Sequence, residues 1–167
     1  MATLSEQGES TQVSVSFKAP DGKSNLKFLD KLCCGGIIER FTKAKLDEEH
    51  ASRLAQEMHF WANHENGLNK LLIVWDCLYW ARRQHIKIVD VEGAVDSIFT
   101  AYLLEITPID PVLGQLKFNE IAAEQILPVT ISVPSLLELN LLQTYINNRY
   151  AEAWRPFVKI GSSHTDF

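Results

Sequence analysis

Three groups of residues in this sequence have types and spacings that could do chemistry. His50, Glu57 and His64 recur every seven residues, so a continuous helix would carry them on one face. Asp47 and His50 are three apart, the separation that sets a carboxylate and an imidazole side by side in helical di-metal sites. No second such pair occurs in the other helical segments, and Glu57 to His64 is about 10.5 Å of axial rise. His59 and His64 are five apart, which is the wrong spacing for an H-E-x-x-H zinc motif. The row therefore reads as a solvated helix face. A small helical metal- or cofactor-dependent enzyme using Asp76 or the Asp47/His50/His64 face is the alternative.

The run Cys33-Cys34-Gly35-Gly36 invites a redox or metal reading. Zinc loops need two spaced ligand pairs, and here there is one adjacent pair. A reactive thiol needs a cation or a helix N-terminus beside it. Small buried thiols in a close-packed turn account for the run more simply. Cys77 is the third cysteine. Adjacent cysteines rarely meet disulfide geometry, and an odd count is not a secreted disulfide framework.

Asp76 is the sharpest oddity. Its neighbours three and four residues away on a helix are Leu72, Ile73, Tyr79 and Trp80. A carboxylate there is costly unless paired or multiply hydrogen-bonded. It reads as a structural anchor that accepts from an indole, a tyrosine hydroxyl or an arginine. The alternatives are an acid or base in an apolar pocket and a contact at a subunit interface. Arg82, Arg83, His85 and Lys87 form the densest basic cluster, beside Tyr79 and Trp80. The basic patch of Arg82, Arg83 and Lys87 supports a third reading, weak nucleic-acid binding. Against it, 16 Lys plus Arg face 21 Asp plus Glu, a net charge of −5, which makes nucleic acid an unlikely partner. Phosphate-loop, dinucleotide and nucleophile-elbow motifs are missing. The residues thus nominate no catalytic, cofactor-binding or metal-binding position, and no cofactor.

The elements that must position these residues are mostly helical. The chain has 167 residues, 46% of them hydrophobic, enough for one domain with one core. Residues 1–12 read as a flexible leader, 13–157 as a single α-rich domain and 158–167 as a loose tail. Val13, Val15 and Phe17 alternate with polar residues, Pro20-Asp21-Gly22 is a turn, and Leu26 and Phe28 alternate again. These predict a short N-terminal β-hairpin, 12–18 with 25–29. Gly35-Gly36 is expected to interrupt what precedes it. Asp47 predicts a helix start. Residues 68–84, apolar nearly all round, predict a buried central helix. Asp90 predicts the cap of a helix from Val91 to about Ile106. Residues 118–127 read as a short helix and 128–134 as extended. Ser135 and Glu138 form a capping box opening a helix to about Trp154. The fold class is mainly α with a minor β part, five to six helices around the central one, and no βαβ alternation.

Charge is uneven along the chain. Between Gln125 and Asn148 the single formal charge is Glu138. The last helix is apolar over more than half its circumference, which suggests an interface with another chain. The leading expectation is a non-enzymatic protein–protein interaction or assembly protein (small subunit, adaptor or assembly factor) acting through an apolar helical surface in residues 98–154. Leu142, Tyr145, Tyr150 and Trp154 would be its anchors, and its partner another protein or itself. No segment approaches the length of a membrane span, and the N-terminus is no signal peptide. These point to a soluble, cytoplasmic protein.

Overall fold

The structure is a computed structural model that describes residues 16–125 and 129–163. Ser24 opens its first helix: the hydroxyl oxygen accepts from the Lys27 amide at 3.2 Å, and α1 runs Asn25–Arg40. Phe28, Leu29, Cys33 and Gly36 bury one side of it. The expected β-hairpin is therefore corrected, since its second arm, 25–29, is the first turn of α1. The alternation there was too short to outweigh a capped helix start. Of the first arm, residues 13–15 lie outside the described residues, as does the proposed leader, and 16–18 are not strand. Gly35-Gly36 does not interrupt α1 either. Gly36 packs on the backbone of Leu103, where a Cβ would overlap the carbonyl, whereas Gly35 faces open space. One glycine is there for close approach, not for a turn.

Asp47 caps α2, Glu48–Ala62, by accepting from the His50 amide at 2.9 Å. After a tight turn α3 runs Glu65–Arg83. It is the buried central helix the pattern predicts, starting three residues earlier. Leu68, Leu71, Leu72, Ile73, Val74, Cys77, Leu78 and Ala81 are all at most 2% exposed. Among the described residues, no helix is long and apolar enough to cross a membrane.

The expected helix 91–106 gives way to shorter pieces. Asp90–Glu92 is strand β1, Ala94–Ser97 a 3-10 turn and Phe99–Leu103 the one-turn helix α4. Gly93 at φ 145° breaks the run with a backbone that L residues rarely adopt. Asp90 is no cap because β1 pairs antiparallel with β2, Val129–Val133, in the register Asp90↔Ser132 and Glu92↔Thr130. The short helix α5 is Glu120–Gln125. Ser135 caps α6, Leu136–Tyr150: its hydroxyl oxygen accepts from the Glu138 amide at 3.4 Å, and the hydroxyl donates to the Glu138 carboxylate at 2.8 Å. Ala151 at φ 50° ends α6 before Trp154. The chain then returns as β3, Val158–Ser162, parallel to β2. Residues 158–162 are thus not loose, and β2–α6–β3 is one βαβ unit, contrary to expectation. A five-residue strand just after a proline gave too little periodicity to be read. The fold is mainly helical with a three-stranded sheet in the order β1-β2-β3.

The two glycines of α1 separate backbone propensity from packing. Gly35→Ala should stabilise by about 0.5–1 kcal/mol, because the site is helical and open. Gly36→Ala should destabilise by about 2 kcal/mol through overpacking against Leu103. Urea denaturation of both variants checks this; equal shifts in midpoint would contradict the helix contact.

Candidate functional site

The row His50, Glu57, His64 is not a solvated face, because the core takes two of its members. Glu57 is completely buried. Its Oε1 accepts from the Thr100 amide at 2.8 Å and the Thr100 hydroxyl at 3.0 Å, and its Oε2 from the Phe99 amide at 2.7 Å and Arg53 Nε at 2.9 Å. It caps α4 from across the core. Burial pushes its carboxyl up, while the Thr100 and Phe99 donors and Arg53 pull the other way. Arg53 also donates to the Ser97 and Leu116 carbonyls.

His50 is 3% exposed and lies between two carboxylates. Its Nδ1 meets Asp47 at 2.8 Å and its Nε2 meets Asp110 at 2.8 Å. Acceptors on both nitrogens call for two ring protons, the imidazolium form. Burial alone would pull the imidazole down; the hydrogen bonds and charges of Asp47 and Asp110 outweigh it and hold it above its ordinary value. The His50 amide and ring together hold Asp47 below the usual carboxylate range. His64 points elsewhere, stacked 3.9 Å from Phe60 with Nδ1 at the Phe60 carbonyl. Asp47, His50 and His64 therefore do not converge on one site. Among the described residues, no group of three His, Cys, Asp or Glu side chains could hold a metal ion.

Cys33 and Cys77 are buried, and burial pushes both thiols well up. Cys34 is exposed in mid-helix, away from any helix N-terminus. None of the three has the setting of an activated thiol.

Asp76 is 7% exposed on the central helix. It accepts from Tyr145 Oη at 2.8 Å, Arg149 Nε at 2.8 Å and Tyr150 Oη at 2.5 Å. All three donors come from α6. Burial, then the Asp76 carboxylate, raises both tyrosine hydroxyls far above their usual range. Trp80 stacks on Tyr145 at 4.3 Å. The proposed interface anchors are corrected accordingly: Leu142, Tyr150 and Trp154 are 0%, 2% and 1% exposed inside this chain. Trp154 also donates to Asn147 at 2.7 Å. Tyr145 is half-buried against α3. The low charge of this stretch serves the chain's own core and sheet.

The basic patch is where the sequence puts it, at the solvent end of α3. Arg82, Arg83 and Lys87 are exposed, and the Arg83 guanidinium lies 5.6 Å from the centre of the Tyr79 ring. Burial, then the nearby Arg40 charge, draws the Arg82 guanidinium down, against Glu105. Sequence reasoning missed Arg40, which arrives from the end of α1. It pairs with Glu105 at 3.3 Å and donates to the Leu103 carbonyl at 3.4 Å. Arg40 and Arg82 line a cleft of about 380 Å³ with Asp90, Tyr102, Glu105 and Thr107. A basic residue closing a helix was the available signal for Arg40; its partner is 65 residues away.

Two expected outcomes follow from the buried ionic groups. Folding stability linked to His50 is complete below its ordinary value of about 6.5 and is lost as pH rises through its higher folded-state value. Urea denaturation should show stability declining on that alkaline side, and His50→Gln should flatten the decline. Asp76→Ala should cost about 3 kcal/mol, because two tyrosine hydroxyls and an arginine lose their acceptor. Asp76→Asn, which keeps an acceptor, should cost less. An Asp76→Ala variant of unchanged stability would remove the anchor role.

Comparison with known proteins gives this geometry a context. The family model described as the bacterial DNA polymerase III alpha NTPase domain matches residues 27–126. DNA polymerase III subunit alpha of Bacillus subtilis is 31% identical over 121 residues, 72% of this chain and 10% of the relative. The corresponding subunit of Halalkalibacterium halodurans is 32% identical over 120 residues, again 72% and 10%. That of Aquifex aeolicus is 25% identical over 150 residues, 84% of this chain and 12% of the relative. The chain thus spans about a tenth of the length of the curated relatives it matches. These matches overturn the expectation of a non-enzymatic assembly factor or adaptor, and they do not bear out the judgement that nucleic acid is an unlikely partner. No short motif carried the likeness. The chain belongs to the bacterial DNA polymerase III alpha NTPase domain family.

Proposed function

We propose that this chain works in DNA replication as a DNA-engaging module of the polymerase III alpha kind. Arg82, Arg83 and Lys87 would meet the phosphate backbone, with Arg40 behind them in the cleft. The observation that carries the reading is the family match over 27–126, which includes this basic edge. The relatives are named DNA polymerase III subunit alpha, which supports both a DNA ligand and a protein partner. The bacterial family supports a cytoplasmic setting.

Phosphate contacts of this kind position a duplex without reading its sequence. The edge is cationic only locally. Asp90 and Glu105 line the cleft with Arg82 and the whole chain is at −5, so binding should be modest and driven by counterion release. Tyr79 is 46% exposed, but its ring already stacks on Trp75 at 4.9 Å and lies under Arg83, so the edge would hold DNA by phosphate contacts rather than by base stacking.

Fluorescence anisotropy with a labelled primer–template duplex tests this. Three neutralised phosphates predict about a 40-fold loss of affinity between about 50 and about 200 mM salt. The triple variant Arg82→Ala/Arg83→Ala/Lys87→Ala should lose both the binding and the slope. No binding at low salt, or binding indifferent to salt, would refute the reading.

A further inference from the structure

The solvent face of the three-stranded sheet bears on what this chain does with DNA. β1 sends Asp90 and Glu92 outward, both exposed, while Val91 is buried. Opposite them on β2 stand Ser132 and Thr130, half-buried, and beyond those on β3 come Gly161 and Lys159. Two rows result, Asp90–Ser132–Gly161 and Glu92–Thr130–Lys159. The middle strand, Val129-Thr130-Ile131-Ser132-Val133, has no ionisable side chain.

Polymerases transfer nucleotides with paired divalent cations that hold the attacking and leaving oxygens, and such hard cations are held by carboxylates. Family membership therefore implies a metal, and the donor set can be tested against it. Asp90 and Glu92 are two apart along one strand, about 6.6 Å between Cα atoms. Their cross-strand neighbours are uncharged hydroxyls, and Lys159 adds a positive charge to the Glu92 row. Four other carboxylates already have partners. Glu57 and Asp76 are taken up by buried donors, and Asp47 and Asp110 by His50. His50, protonated on both nitrogens, has no lone pair to give. The described residues do not make a divalent-cation site.

We infer that this chain engages DNA and that its described residues assemble no metal-dependent nucleotidyl-transfer centre, the deficit lying on the middle strand of the sheet. The inference rests on the DNA-engaging reading but has an independent readout. Mn²⁺ is titrated into the full chain and free Mn²⁺ is followed by electron paramagnetic resonance. The wild type should take up no stoichiometric Mn²⁺. Its affinity for the primer–template duplex should be the same, within about twofold, in EDTA and in micromolar Mn²⁺ at matched ionic strength. The variant Thr130→Asp/Ser132→Asp places carboxylates directly across from Glu92 and Asp90, at paired-strand separations of about 4.5–5.5 Å. It should gain one equivalent of bound Mn²⁺.

Stoichiometric Mn²⁺ on the wild type, lost in Asp90→Asn/Glu92→Gln, would overturn the inference. So would a folded Thr130→Asp/Ser132→Asp variant that gains no metal, since the deficit would then not lie on this strand. Failure of the wild type to bind DNA at all would remove the proposed function, with the Mn²⁺ result unaffected.

Discussion

The carboxylate of Glu57 is the interaction on which the rest of the arrangement depends. An ionisable group wholly out of water is expensive unless its lone pairs are met. Here four donors meet them, and three belong to the first residues of α4. A one-turn helix has almost no stability of its own. Glu57 supplies what the sequence around Phe99 lacks, a cap from a different helix. Trp61, one turn further along α2, adds its indole N–H to the Thr100 hydroxyl at 3.1 Å. With α4 fixed, Leu103 is placed against Gly36, and Arg40 comes within reach of Glu105. The cleft beside the basic edge thus inherits its geometry from a buried acid on another helix.

Asp76 does for the C-terminal half what Glu57 does for the middle. It holds α6 on the central helix through Tyr145, Arg149 and Tyr150, and α6 is the connection between two parallel strands. His50 makes a third long-range tie, joining the start of α2 to the loop at Asp110. Among the described residues, no buried side-chain nitrogen or oxygen lacks a partner. Buried polar networks of this sort rigidify and specify a core only when fully satisfied.

The low charge between Gln125 and Asn148 pointed to an interface for a physical reason. An apolar stretch can face a partner chain or its own core, and composition is the same in both cases. Here the sheet and α6 use it internally: Val129, Ile131, Val133, Leu142 and Ile146 are all completely buried. The leucines that do remain exposed on α6, Leu136, Leu137 and Leu141, are not those nominated as anchors. A sum of charge over the chain is likewise silent about any one surface patch, whereas counterion release is local.

Local signals in the sequence determined the helical class, the caps at Asp47 and Ser135, the buried central helix, the isolation of Asp76 among apolar neighbours and the cluster Arg82, Arg83, Lys87. Each of these depends on residues within about two turns of one another. Tertiary structure alone decided that Glu57 caps a helix, that His50 is clamped by two acids and that Gly36 marks a helix contact. It also turned residues 90–92 and 158–162 into strands flanking β2. Those outcomes join residues tens of positions apart, and a strand of three to five residues takes its identity from the strand it pairs with rather than from its own periodicity.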